Sequence, residues 1–165
     1  MQAIEIQNLT KVYKDTTAVD QLSLSVNPGE LICLLGVNGA GKTTTIKMLC
    51  GLTQPTAGDA LLLGKSILKE PAAVKSLIGV CPQETAVAKG LTVEENLQLL
   101  CGIHGLSRSR SRERTEELQQ LLGLDSVKHK KAGKLSGGYQ RRLSIAMALV
   151  SRPQILFLEI GRAHV

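Results

Sequence analysis

The chain has 165 residues, a hydrophobic fraction of 43% and a net charge of +6 at pH 7. That length suits one domain with a real core, and that apolar content excludes a disordered chain. No apolar run reaches the length of a membrane-spanning helix, so any link to a membrane is expected to come through a partner.

Residues 1–5 alternate apolar and polar side chains like a strand, not like a charged-then-apolar leader, and a cytoplasmic protein is expected. Residues 3–9 and 21–26 continue the alternation and predict antiparallel strands with one exposed face. Asn27, Pro28, Gly29 and Glu30 mark a turn. The unbroken apolar run 31–35 predicts a short, buried parallel strand. Gly36, Val37, Asn38, Gly39, Ala40, Gly41, Lys42 and Thr43 then fit G-x-x-x-x-G-K-[ST] at every position. The next stretch, 42–50, reads as a helix ended by Gly51.

Strand, glycine loop and helix form a setting for a nucleoside triphosphate. Glycines let successive N–H groups curl round a phosphate, and the helix start adds unpaired N–H groups and a favourable dipole. Lys42 is expected to reach the β- and γ-phosphates, Thr43 to ligate Mg²⁺, and Thr44 to offer a hydroxyl near the α-phosphate.

Further along, residues 54–58 form a turn into a strand at 59–63, and 71–77 a short helix with proline in its first turn. Thr92, Val93, Glu94 and Glu95 spell a capping box for a helix to about residue 103. A second amphipathic helix runs over 115–122 and ends at Gly123, closing a helical hairpin near Leu124. The pattern is helical from 83 to about 134. Gly137 and Gly138 open another helix, reaching about Ser151 before Pro153 bars it; Ser136 stands where it either caps that helix or helps form a second anion site. Residues 154–158 are an apolar strand.

Positive charge gathers at 107–114 and 128–131. With two tyrosines and one phenylalanine in the chain, no base-stacking platform accompanies it, and no nucleic-acid partner is expected. Cys33, Cys50, Cys81 and Cys101 lack metal-ligand spacing and read as mostly buried small residues.

Leu135, Ser136, Gly137, Gly138, Tyr139 and Gln140, continued by two arginines, resemble the signature sequence of ABC ATPases. Gly79-Val80-Cys81-Pro82-Gln83 resembles that family's Q-loop, and Tyr13 falls where the family sets an aromatic residue against adenine. The resemblance spans nearly the whole chain. It implies an α/β fold: a P-loop NTPase core with an antiparallel β subdomain and an inserted helical subdomain at about 84–134. It implies ATP and Mg²⁺ as cofactors, with Gln83 sensing the γ-phosphate and Mg²⁺. It also implies a second ATPase domain, identical or not, whose nucleotide is touched by Ser136 and Gly137. A transmembrane permease subunit would hold the protein at the inner face of the membrane, contacted by Gln83 and residues 84–90. ATP-dependent closure of the dimer would drive transport. Tyr139 in the signature, and the wording of the loop around Asn38 and Thr43, resemble drug, lipid and polyketide exporters. The alternative is a soluble ABC ATPase of translation or DNA repair.

One departure stands at the end. After the strand the family has an Asp-Glu pair, and this chain has Glu159 and Ile160. Residues 159–165 match one reading frame of a sequencing adapter. The ATPase domain is therefore expected to occupy 1–158 and to be incomplete at its C-terminus. A non-native tail is expected to follow, without the general-base glutamate or the switch histidine, and the fragment is expected to be hydrolytically inactive.

Overall fold

The computed structural model describes residues 1–159 and divides into two units, Met1–Ile78 and Gly79 onward. In the first, β1 (Ile4–Tyr13) and β2 (Thr16–Val26) form an antiparallel hairpin, with Ile4 opposite Val26 and Tyr13 opposite Thr16. β3 (Ala57–Leu62) joins the other edge of β1, and β4 (Lys65–Ser66) follows it, giving the order β2-β1-β3-β4. Ile6, Leu9, Val19, Ala60 and Leu62 are buried. The first two strands outrun the ranges read from alternation. The register slips between Ile6 and Leu9 and again between Leu9 and Lys11, and Asn8 and Gln21 take positive φ. Each slip shifts the inside–outside phase, so a strict period of two loses the strand midway.

The same unit holds α1 (Lys42–Leu49) and α2 (Pro71–Leu77), the latter with Pro71 in its first turn as its sequence dictates. Residues 31–35 overturn an expectation. They form no strand, and Leu31 and Leu35 are 96% and 87% exposed. Cys33 is exposed as well, whereas Cys50, Cys81 and Cys101 are buried. An apolar run states a preference for burial but does not supply the neighbours. A parallel strand covered on both faces needs strands beside it, and no described strand pairs with this segment.

In the second unit, β5 (Ile78–Cys81) pairs with β6 (Ile155–Leu158) in a two-stranded sheet. Among the described residues the only ladder of β6 is with β5. Three helices, α3 (Val93–Ile103), α4 (Arg108–Leu121) and α5 (Gly137–Leu149), pack around Val93, Leu97, Cys101, Leu118, Leu143 and Ala146. α4 begins inside the basic run, capped by the Ser107 hydroxyl. α5 stops at Leu149, short of the expected Ser151. Buried Arg114 takes over its last carbonyls: Nη2 donates to the Leu149 carbonyl and Nε to that of Val150 at 3.3 Å. Glu117 receives Arg114 at 2.8 Å and Arg152 at 2.7 Å, and the Arg114 hydrogen bond, the largest influence, holds its carboxyl below the ordinary value. Of the expected tail, Glu159 is described and residues 160–165 lie outside the described residues.

The start of α3 shows why its boundary was legible. The Thr92 hydroxyl accepts from the Glu95 amide at 3.1 Å, and the Glu95 carboxylate accepts from the Thr92 amide at 2.7 Å. The Val93, Glu94 and Asn96 amides donate to the carbonyls of Lys130, Lys128 and Thr92. No N–H of the first turn is left over.

Thr92→Ala is expected to cost about 1 kcal/mol in urea denaturation. Hydrogen bonds from the Thr92 backbone lower the Glu95 carboxyl from its ordinary 4.5. Its share of the stability is therefore complete above that value and is lost as pH falls through the lower, folded-state one. Glu95→Gln is expected to flatten the acid limb of the stability profile by lowering the neutral region toward the acid one, where the carboxyl is already protonated.

Candidate functional site

The phosphate loop is built on contacts within the first unit. Gly41, the residue before α1, sits at φ 81°, and a Cβ placed on it would lie 2.3 Å from the Ala18 carbonyl oxygen. Only glycine fits there: the backbone is left-handed and another backbone stands against it. Gly39 shares the conformation at φ 82° but faces open space. Lys42 Nζ folds over the loop and donates to the Gly36 carbonyl at 2.6 Å and the Val37 carbonyl at 2.9 Å. The Thr45 hydroxyl is turned back onto the Gly41 carbonyl at 3.0 Å and is buried. Thr43 is exposed and Thr44 half-buried. Upstream, the Asn27 side-chain and backbone N–H groups bind the Glu30 carboxylate and lower its pKa, closing the turn that feeds the loop.

These residues fit a triphosphate. No side chain caps α1, and its first turn holds no acidic residue. Its N–H groups therefore keep their bonding capacity and their positive dipole end for an anion. An ammonium and two hydroxyls lie in the same short segment. Mg²⁺ fits too, because it keeps waters and takes phosphate oxygens, and so asks little of the protein. The described residues contain no cluster of acidic, histidine or cysteine side chains that would hold a metal on its own.

Tyr13 is the last residue of β1, not a loop residue, and is 46% exposed. Lys11 Nζ stands 5.0 Å from its ring centroid and also donates to the Gln54 carbonyl at 2.8 Å. The ammonium thus lies on the π-face of the ring while it is tied to the turn before β3.

Gln83 and the signature lie in the second unit. Gln83 is exposed, directly after β5 and Pro82. Ser136 caps α5 through a long contact of 3.5 Å from the Tyr139 amide. Gly137 and Gly138 have nothing within 4 Å of where a Cβ would stand, so the helix start is open to an approaching group. Gln140 turns back to donate to the Leu135 carbonyl at 3.1 Å, and Arg142 lies over the Tyr139 ring at 5.5 Å.

Two residues escaped the reading of the sequence. Ala18 matters through its carbonyl, which no side-chain pattern encodes. Arg141 is the other; its place directly after the signature was the available signal.

The two loop glycines separate strain from space. Gly39→Ala is expected to cost about 1–2 kcal/mol for its left-handed backbone. Gly41→Ala is expected to cost more, because the backbone of β2 must also give way. Unfolding midpoints of the two variants, measured side by side, check the order.

A family model described as ABC transporter matches residues 19–159. The daunorubicin/doxorubicin resistance ATP-binding protein DrrA of Streptomyces peucetius is 43% identical over 96% of this chain and 48% of its own length. The probable multidrug ABC transporter ATP-binding protein YbhF of Escherichia coli is 38% identical over 94% of the chain and 27% of its own length. The chain therefore spans less than half of these relatives. Among solved structures, cbiO1 from Clostridium perfringens, part of the ABC transporter complex cbiONQ, superposes with a TM-score of 0.87 at 26% identity, over 95% of this chain and 64% of that one. With a nucleotide loop, a signature helix start and this match over most of its length, the chain belongs to the ABC transporter ATPase family.

Proposed function

We propose that this chain is the nucleotide-binding part of the ATPase subunit of an exporter, working with a second ATPase domain and a transmembrane permease. One observation carries the reading: a helix start with no side-chain cap and no acid, preceded by a glycine loop with an ammonium folded over it. Lys42 would leave the Gly36 and Val37 carbonyls for the β- and γ-phosphates, the Thr43 hydroxyl would join Mg²⁺, and Thr44 would face the α-phosphate. Bound Mg²⁺ would neutralise phosphate charge. Tyr13 would stack on adenine. Gln83 would respond to the γ-phosphate and Mg²⁺, and with residues 84–90 would meet the permease.

The open Gly137-Gly138 helix start would receive a nucleotide held by the second ATPase domain. That nucleotide would join the pair, and pairing would move the permease. Export is the favoured direction because one relative is named for daunorubicin/doxorubicin resistance and another as a probable multidrug transporter protein. No helix among the described residues is long and apolar enough to cross a membrane, which accords with a permease on a separate segment or chain. Co-purification with a membrane protein tests that arrangement; recovery with ribosomes or DNA instead would favour a non-transport ABC ATPase.

Hydrolysis needs a carboxylate to orient or activate water. Residue 160 is isoleucine and Glu159 stands at the strand end, so we assign binding without turnover to these 165 residues. The domain assignment follows: residues 1–158 belong to the ATPase domain, with helices inserted at about 84–134 and non-native residues from 159.

Calorimetric titration with ATP and ADP tests the binding. Lys42→Ala is expected to weaken ATP by about tenfold or more, the worth of a hydrogen bond to a charged group. Tyr13→Ala is expected to cost about 1–3 kcal/mol for both nucleotides alike. ATP affinity indifferent to Lys42 would overturn the reading. For turnover, phosphate release is expected only after Glu159→Asp and Ile160→Glu are combined with the family's further segments. Lys42-dependent release by the unaltered chain at a comparable rate would contradict it.

A further inference from the structure

Arg141 lies in the first turns of α5, directly after the signature. Its guanidinium makes no ion pair among the described residues. Instead Nη1 donates to the Pro82 carbonyl at 2.5 Å and Nη2 to the Glu159 carbonyl at 2.6 Å. Both acceptors stand one residue past a strand end, since β5 ends at Cys81 and β6 at Leu158. The last bond joining the two strand ends runs from the Glu159 amide to the Cys81 carbonyl at 2.9 Å. The carbonyls of Pro82 and Glu159 stand next to that bond, and both take a donor from Arg141. A planar guanidinium offers parallel N–H groups at a fixed spacing, so one side chain serves both carbonyls and fixes their separation. Arg141 is half-buried, which strengthens such bonds relative to an exposed pair.

Pro82 is followed by Gln83, and Glu159 occupies the strand end next to residue 160. The clamp therefore holds the root of the Q-loop and the end of β6 to the helix that opens with Ser136, Gly137 and Gly138. We propose that Arg141 is a positioning residue: it ties the signature helix to Gln83, so that the placement of Gln83 toward Mg²⁺-bound nucleotide depends on α5. The proposal rests on the role assigned above to Gln83. Because the clamp grips backbone carbonyls, it acts whatever side chain stands at 159.

The test uses the 165-residue chain and two measurements. One is the gain in ATP affinity on adding Mg²⁺, taken as the ratio of Kd in chelator to Kd in Mg²⁺. The other is amide hydrogen exchange over residues 83–90 and over α3. Arg141→Ala is expected to cut the Mg²⁺-dependent gain by about three- to tenfold, to leave affinity in chelator unchanged, and to speed exchange over 83–90 while α3 stays protected. In a Gln83→Ala background the same substitution is expected to do nothing more, because the group it positions is gone. An unchanged gain, or an equal loss in both backgrounds, overturns the proposal while Lys42-dependent binding persists. If the unsubstituted chain shows no Lys42-dependent ATP binding, the proposed function fails and takes this role with it. Should Arg141→Ala lose protection across α3, Arg141→Met, which keeps an apolar stem of similar length and removes both donors, carries the same comparison.

Discussion

The α-carbon of Gly41 stands so close to the Ala18 carbonyl that a methyl group would come within 2.3 Å of its oxygen, and α1 begins at the next residue. That approach fixes where the phosphate loop turns into its helix. The left-handed backbone at Gly41 reverses the chain sharply enough for Lys42 to fold back over Gly36 and Val37. It also aims the N-terminus of α1 with its N–H groups unclaimed by any side chain. The geometry of the candidate site is thus a consequence of backbone packing on β2, and the side chains that complete it are few.

Three helix starts in the chain show how the same backbone groups are used for different ends. α3 consumes its own, through a reciprocal box and the Lys128 and Lys130 carbonyls. Nothing is left there for a ligand, and the helix is a structural post. α1 has no cap and no acid, and glycine precedes it. α5 falls between: Ser136 makes one long contact, and Gly137 and Gly138 leave open space. Stability and receptivity compete for the same N–H groups. Of these three, the uncapped start of α1 and the weakly capped start of α5 are the two whose sequence carries a glycine motif.

Local rules explain what could be read in advance. Pro71, the Thr92–Glu95 pair and Gly51 mark α2, α3 and the end of α1 because each acts within a turn of its own position. The hairpin of β1 and β2 was legible in type but not in extent, since slips near Asn8 and Gln21 break its period. Residues 31–35 were misread because burial depends on what lies alongside, which a hydrophobic run does not specify. The site followed the same division. Its glycines, Lys42 and Thr43 are visible as a pattern, and Tyr13 and Gln83 only through family resemblance. Ala18 is not visible at all, because its contribution is a carbonyl oxygen.

Arg141 extends that last point from the first unit to the second. The contacts that place chemistry-bearing residues here run largely to main-chain oxygens: Gly41 against Ala18, Lys42 on Gly36 and Val37, Arg114 on Leu149 and Val150, Arg141 on Pro82 and Glu159. A carbonyl is present at every residue, so such a contact survives substitution of the residue that accepts it. It fails only when the donor or the local backbone path changes. Glu159 can therefore stand where the resemblance expects aspartate without loosening the Arg141 clamp. Chemistry at a strand end can thus vary through the side chain while its position is held through the main chain. In this arrangement the donors, Lys42, Arg114 and Arg141, carry the positional constraint.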